Sequence, residues 1–417
     1  MGRFTVARPR PPLGFTRTPE MLYGPDSGKA NALHTLFDIM VAEDRIDYHP
    51  MSSVVAIAEG ALHVLTPGGR RIFGYDRLIL ATGATDRLAP VPGWQSAGVY
   101  SLGAAQIALK AQGVALGRNI VLAGSGPLLT LVAYQLLKMG AQIAAVLDTA
   151  PLSAQVAALP DMLTRPGLVL RGVAMRLQLG RRYHAGVTLE GIECDEYGPA
   201  AVRWSDARGT SRVTPCDMVG LGWHLRAETQ LAGLAGCAFD YDEGWAQWLP
   251  RTDRLGRAVE GVYLAGDGVR ILGADGAELS GRLAAAACLA DLGLSAPDVA
   301  SNLRRQARYE RFARALARAF PWPAALVRAA PDGTIVCRCE GITAGEVREA
   351  AVHGGAEANR VKSLSRLGMG RCQGRYCQLA GNELIAARTG TAVCDAERLR
   401  EQAPVRPVPI AAWMRES

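Results

Sequence analysis

Aromatic residues make up only 6% of this 417-residue sequence, and nowhere do they interleave with its 46 Lys and Arg into a basic–aromatic stripe. With a net charge of +7 spread along that length, the chain has no footprint of nucleic-acid binding. Histidine is scarce as well. The six residues His34, His49, His63, His184, His224 and His353 stand beside no nucleophile or carboxylate pattern, so no general base can be nominated. The first residues hold Arg3, Arg8 and Arg10 without the apolar stretch of a leader, which predicts no secretion signal. Cysteine occurs nine times, an odd number, and five of these (Cys194, Cys216, Cys237, Cys288, Cys394) are scattered. A chain this long needs no disulfide staples, so a reducing, cytoplasmic compartment is expected. Residues 120–137 are uncharged and nearly long enough to cross a membrane, but Gly124, Gly126 and Pro127 break the run into strand, turn and helix. No long internal repeat is visible.

What is present is apolar and glycine-rich: 49% hydrophobic, 20% charged, with 47 Gly. That composition is globular, its length predicts two or three domains, and Gly placed between strands and helices favours a nucleotide-binding α/β protein. Residues 1–27 read as loop or extended chain, and residues 29–44 as an amphipathic helix with Leu33, Leu36, Phe37 and Met40 on one stripe. Short antiparallel strands follow from Met51 to a buried strand at residues 78–81, then a helix at 104–112 and a βαβ unit at 119–148. Residues 165–223 read as strands and turns, 261–266 as a strand, and 280–292 as a helix. Residues 304–319 hold six Arg and one Glu, the pattern of a helix with a solvated basic face or one that docks an acidic subunit.

Three motifs point to dinucleotide chemistry. In "NIVLAGSGPLLTLVAYQLLKMGAQIAAVLD", Gly124 permits the sharp turn, Gly126 lets the backbone approach a pyrophosphate, and Pro127 suits the first helical position. Asp148, 24 residues after Gly124, falls where a carboxylate would meet a ribose hydroxyl, although Leu129 replaces the usual third glycine. "RLILATGATDR" and "GVYLAGDGVRILGADGAELSG" each run an apolar strand into small residues, Thr82 and Gly83 in one, Gly266 and Asp267 in the other. Such ends bring backbone against a flat or phosphorylated ligand at a carboxyl edge. Asp267 could accept from sugar hydroxyls, and a helix beginning near Ser280 would offer free amides. Gly222-Trp223-His224 also falls near this return of the chain.

Near the end, "TIVCRCEGIT" and "GMGRCQGRYCQ" supply Cys337, Cys339, Cys372 and Cys377. Sulfur-only ligation selects zinc or an iron–sulfur centre, and a C-x-C pair is less natural for a zinc ribbon. Arg338, Lys362, Arg366, Arg371 and Arg375 lie among these thiols and would offset a cluster's negative charge. Gly368, Gly370 and Gly374 permit tight wrapping with amides aimed at sulfur.

"LILATGA", "VLAGSGPLL" and "VYLAGDG", in that order, resemble the pyridine nucleotide-disulfide oxidoreductase superfamily. The resemblance implies an α/β, Rossmann-like, three-layer flavoprotein with two dinucleotide-binding domains, Thr82, Gly83, Gly266 and Asp267 on the FAD side, and NAD(P) or another nucleotide at the middle motif. That superfamily opens with its own Gly-rich βαβ unit for FAD. None is recognisable before residue 78, where the glycines at 2, 14, 24 and 28 follow no apolar strand. No cysteine pair lies beside the flavin region, so disulfide reduction is not expected. "CRCEGIT" and "VKSLSRLGMGRCQGRYC" resemble the bacterioferritin-associated-ferredoxin-like (BFD-like) [2Fe-2S] domain, whose ligands would here be Cys337, Cys339, Cys372 and Cys377. Over roughly residues 50–390 the chain is similar to the A subunits of opine oxidases and to related subunits of hydrogen cyanide synthase and of hydroxyproline or proline dehydrogenase complexes.

The domains then expected are a partial FAD-binding domain at 1–103, an NAD(P)-binding-like domain at 104–225, and the second FAD segment at 226–295. A helical linker at 296–330, the BFD-like domain at 331–390 and a tail at 391–417 complete the chain. The resemblance implies an electron-transfer subunit holding FAD and a [2Fe-2S] cluster in a hetero-oligomer with an amino-acid-oxidase-like flavoprotein. It would lie in the cytoplasm, with its complex peripheral to the inner membrane. A self-sufficient NAD(P)H-dependent reductase and a flavin-less metal-binding scaffold are the other expectations.

Overall fold

The computed structural model describes residues 13–14, 24 and 27–415. The loop expected over residues 1–27 falls almost wholly outside them. Among the described residues, no helix is long and apolar enough to cross a membrane.

Alternating short strands build the first region. Ser53–Ala58, Ala61–Thr66 and Gly69–Gly74 form an antiparallel meander. Leu78–Leu80 then pairs in parallel with Val262–Leu264, which pairs in turn with Arg257–Val259. Among the described residues, nothing pairs with the other side of Leu78–Leu80. The expected helix is present as Ser27–Ala42, but none of its residues is buried and Leu36 is 54% exposed, so among the described residues its apolar stripe faces no core.

The second region is a five-stranded, all-parallel sheet in the order Tyr183–Ala185, Gln142–Asp148, Asn119–Ser125, Met218–Trp223, Val99–Ser101. Helix Pro127–Lys138 crosses over between the two central strands and buries Leu129, Val132, Ala133 and Leu136. An antiparallel sheet of Thr188–Asp195, Gly198–Ser205 and Ser211–Pro215 follows. Two helices, Leu152–Met162 and Pro166–Leu179, precede it, and the second corrects the strand reading of residues 165–179. Gly167, Gly172 and the two Val of that stretch have weak helical character, yet Pro166 starts the helix and the segment closes on buried Leu179.

Two short strands carry the chain out of the first region and back, Ala84–Asp86 paired antiparallel with Leu225–Ala227. Helix Gly273–Asp291 begins seven residues earlier than the sequence suggests. Helix Ala300–Ala319 buries Phe312, Ala313, Ala315 and Ala319 and turns its arginines onto neighbouring segments: Arg308 donates to the Thr164 carbonyl at 2.6 Å, and Arg311 and Arg318 both grip Asp161.

The last region pairs Ile335–Cys337 with Ile342–Thr343 and packs helices Ala344–Gly354, Ala358–Ser365 and Gln378–Thr389 on one another. Thr343 and Glu346 close a reciprocal cap on the first of these helices. This region is fused to the parallel-sheet region, since Val121, Trp204, Trp94, Val336 and Leu384 belong to one continuous core. Beyond it the chain runs back across the meander, where the Val405 amide donates to Val55 and the Arg70 amide to Arg415, both at 2.8 Å.

Candidate flavin and iron–sulfur site

The parallel pairing of Leu80 with Leu264 brings Thr82 and Gly83 beside Gly266 and Asp267, at the carboxyl edge where the sequence puts them. The edge is close-packed: a Cβ on Gly268 would lie 2.7 Å from Thr82 Oγ1. Gly83 and Gly266 have φ of +71° and +70°, backbone that only glycine adopts without strain. Ser280 is inside the helix rather than at its start, and its Oγ accepts the Gly266 amide at 3.0 Å. The Asp267 carboxylate takes the Leu272 amide at the beginning of that helix, and burial raises its pKa. Two residues beyond Gly83, Thr85 Oγ1 is buried without a partner. A polar ligand at this edge would satisfy such an atom, so the residues fit an oxygen-rich cofactor.

The parallel sheet also gathers Gly124, Gly126 and Asp148 at one edge, but the chain's own groups fill the space around them. A Cβ on Gly124 would meet the Gly222 carbonyl oxygen at 1.8 Å, so close approach of neighbouring strands is reason enough for glycine there. Against Gly126 lies the His224 ring, which meets Phe320 in a T-shaped contact with ring centroids 5.8 Å apart. Asp148 is 1% exposed and fully engaged. It accepts from the Ala150 amide at 2.9 Å, from the Tyr183 hydroxyl and from Gln155, and it pairs with Arg176 at 3.6 Å. Burial raises its pKa.

The four thiols come together as two pairs. Cys377 donates to Cys337, while Cys339 and Cys372 interact through their side chains. The Cys337 thiol is brought down to about 6, first by that bond and then by amides of Gly368, Glu340 and Cys339 aimed at its sulfur. Cys377 is pushed well up because it donates within the pair and is buried. Amides of Tyr376 and Gly374 address Cys372, whose pKa burial raises. Among the described residues no three metal-binding side chains converge on a single ion, but two thiol pairs with amides directed at sulfur fit the donor set of a two-iron, four-thiolate cluster. A Cβ on Gly370 would sit 2.3 Å from the Cys339 Cβ, so the loop closes only around glycine. Of the five cations noted in the sequence, Lys362 and Arg375 are buried; Arg338, Arg366 and Arg371 are exposed.

A buried polar bridge joins this loop to the flavin edge. The Glu228 amide donates to Gly83 at 3.0 Å, its carbonyl accepts from Thr82 Oγ1 at 2.5 Å, and its carboxylate accepts from Arg375 Nε at 2.6 Å. Arg226 donates to the Arg375 carbonyl, and Gln230 Nε2 to the Gln373 carbonyl at 2.8 Å. A second junction stacks Arg87 over Trp322 at 4.1 Å, and Glu383 accepts from Trp322 Nε1 and Arg328. Arg226, Glu228, Gln230, Arg87 and Glu383 were not among the residues nominated from sequence. The one available signal was the charged pair in "LRAETQ" directly after the wholly buried strand Met218–Trp223.

Residues 28–288 match the pyridine nucleotide-disulphide oxidoreductase family, and residues 335–387 the BFD-like [2Fe-2S] binding domain. Together with the site geometry these define an FAD-dependent oxidoreductase subunit with an appended [2Fe-2S] domain, and the chain belongs to that pyridine nucleotide-disulphide oxidoreductase family. It is 38% identical to the opine oxidase A subunit of Rhizobium meliloti, over 93% of this chain and 76% of that protein. The corresponding opine oxidase A subunit of Agrobacterium tumefaciens (strain Ach5) is 37% identical, over 93% of this chain and 80% of that protein. The hydrogen cyanide synthase subunit HcnB of Pseudomonas protegens is 30% identical, over 89% and 82%. The fold is shared with L-proline dehydrogenase from P. horikoshii at a TM-score of 0.64 and 20% identity, over 87% of this chain and 64% of that one.

Proposed function

We propose that this chain is the electron-transfer subunit of a multi-subunit amine or amino-acid dehydrogenase. In this reading an amino-acid-oxidase-like partner flavoprotein oxidises the C–N bond, and electrons leave through this chain. When bound, FAD exchanges electrons in pairs and a [2Fe-2S] cluster one at a time, which is why the two belong in one relay. Thr82, Gly83, Gly266, Asp267 and Ser280 line the flavin side; Cys337, Cys339, Cys372 and Cys377 hold the cluster. The observation that supports this best is the seating of the Cys372–Cys377 loop on residues 226–230, which themselves hydrogen-bond the Thr82–Gly83 strand end. One hydrogen-bonded junction thus joins the residues that would hold the flavin to those that would hold the cluster.

A partner is also favoured by the surface. Helices Leu152–Met162 and Pro166–Leu179 expose Leu152, Val156, Leu159, Leu170, Val173 and Leu177, while Asp161, Arg165 and Arg176 are engaged within the chain. Exposed large apolar side chains along helices are normal at a contact between subunits. The NAD(P)H-dependent alternative draws no support, because Asp148 is saturated and the Gly126 turn is covered by His224. The test is anaerobic mixing of the co-purified complex with candidate amino acids or opines, followed in the visible spectrum. Bleaching of flavin and cluster by substrate but not by NADH is expected; bleaching by NADH alone would overturn the reading.

A further inference from the structure

Building on the electron-transfer reading, we propose that Glu228 is the charge-setting and positioning residue of the cluster loop. Its carboxylate, together with the guanidinium groups of Arg226 and Arg375, anchors Cys372 and Cys377 against the flavin edge and tunes the potential at which the four-thiolate centre takes its electron. The main chain of Glu228 belongs to the flavin side, through its bonds to Thr82 and Gly83, and its side chain to the cluster side, through Arg375. Arg375 also donates to the carbonyls of Cys372 at 3.1 Å and Val405 at 2.9 Å, so one guanidinium ties the loop, the strand end and the returning C-terminal segment together. Arg226 reaches the same loop through the Arg375 carbonyl and interacts electrostatically with Cys372 and Cys377. All three side chains are nearly removed from solvent: Arg226 is 8% exposed, Glu228 7% and Arg375 8%.

Charges in such a place are weakly screened and act on one another strongly. Reduction adds one electron and no proton to a centre that the thiolates already make negative. The two cations favour that electron and Glu228 opposes it, so the triad leaves one net positive charge beside the loop. Neutralising Glu228 makes reduction easier, and neutralising Arg375 makes it harder. A role in packing alone would not give shifts of opposite sign.

The experiment is an EPR-monitored redox titration of the complete, co-purified protein with dithionite as electron source. Glu228→Gln is expected to raise the cluster midpoint by at least a threefold change in the reduction equilibrium, about 28 mV at 59 mV per tenfold for one electron. Arg375→Gln is expected to lower it by at least as much. The double variant should return to within twofold of the original, about 18 mV on the same scale. Should a single variant fail to fold, the double variant, which removes a buried pair without leaving a lone charge, and Arg226→Gln, expected to lower the midpoint, carry the test. Single-variant shifts of the same sign, or midpoints all within twofold, overturn the proposal, and so does a centre that accepts no electron. Because dithionite poises the centre directly, flat midpoints with intact bleaching by substrate would sink this proposal alone, and shifted midpoints without such bleaching the electron-transfer reading alone.

Discussion

His224 offers a direct check that the second dinucleotide fold is filled by protein. It sits at φ +61°, its ring against the Gly126 turn and its Nε2 buried without a partner, and burial together with the charge of Arg87 brings its pKa down to about 4. The unfolded chain should titrate at about 6.5, so on acidification the unfolded state takes up the proton first. The stabilisation by neutral His224 is therefore complete above pH 6.5 and is lost as pH falls toward 4. Between pH 7.5 and 5 the full shift would cost about 2 kcal/mol, and because the residue as a whole is only half-buried the loss is nearer about 1 kcal/mol. Asn tolerates positive φ, so His224→Asn removes the titration with little backbone penalty. Urea unfolding of both proteins at pH 7.5 and 5 should show the original losing about 1 kcal/mol more than the variant. His184, also depressed by burial, is common to both and cancels. An identical pH dependence in the two proteins would refute the placement of this ring.

Gly370→Ala puts a Cβ where the Cys339 Cβ already stands, so iron content should fall severalfold while far-ultraviolet circular dichroism stays unchanged. Glu383→Gln removes the charge that serves Arg328 and Trp322; a charge-assisted bond is worth about 1.5–3 kcal/mol, and half-exposure of Arg328 places the loss of stability in urea nearer about 1.5 kcal/mol. Leu170→Asp with Val173→Asp, both exposed, should leave the fold within about 0.5 kcal/mol while co-purification of the partner flavoprotein is lost.

Much of the fold could be read from local chemistry. Pro127 opening a helix after a seven-residue apolar strand defines the βαβ unit, because turn geometry and apolar period are properties of adjacent residues. The C-x-C and C-x4-C spacing predicted four convergent thiols for the same reason. Helix Pro166–Leu179 escaped because its large apolar residues Leu170, Val173 and Leu177 face outward, against the rule that such residues mark a core. Gly124 and Asp148 sit where a nucleotide fingerprint needs them, but the Gly222 carbonyl and the Tyr183–Arg176 cluster that surround them come from distant segments. The bridge was out of reach for the same cause, since Glu228 and Arg375 are 147 positions apart and only the folded chain makes them neighbours.

The most direct test of the account is EPR and metal analysis of the complex after anaerobic reduction by its own substrate. About two irons per chain, together with a reduced [2Fe-2S] signal that vanishes in Cys372→Ser but persists in Cys194→Ser, is the expected result. Zinc at the thiols, or iron that stays oxidised while the partner flavin is reduced, would contradict it.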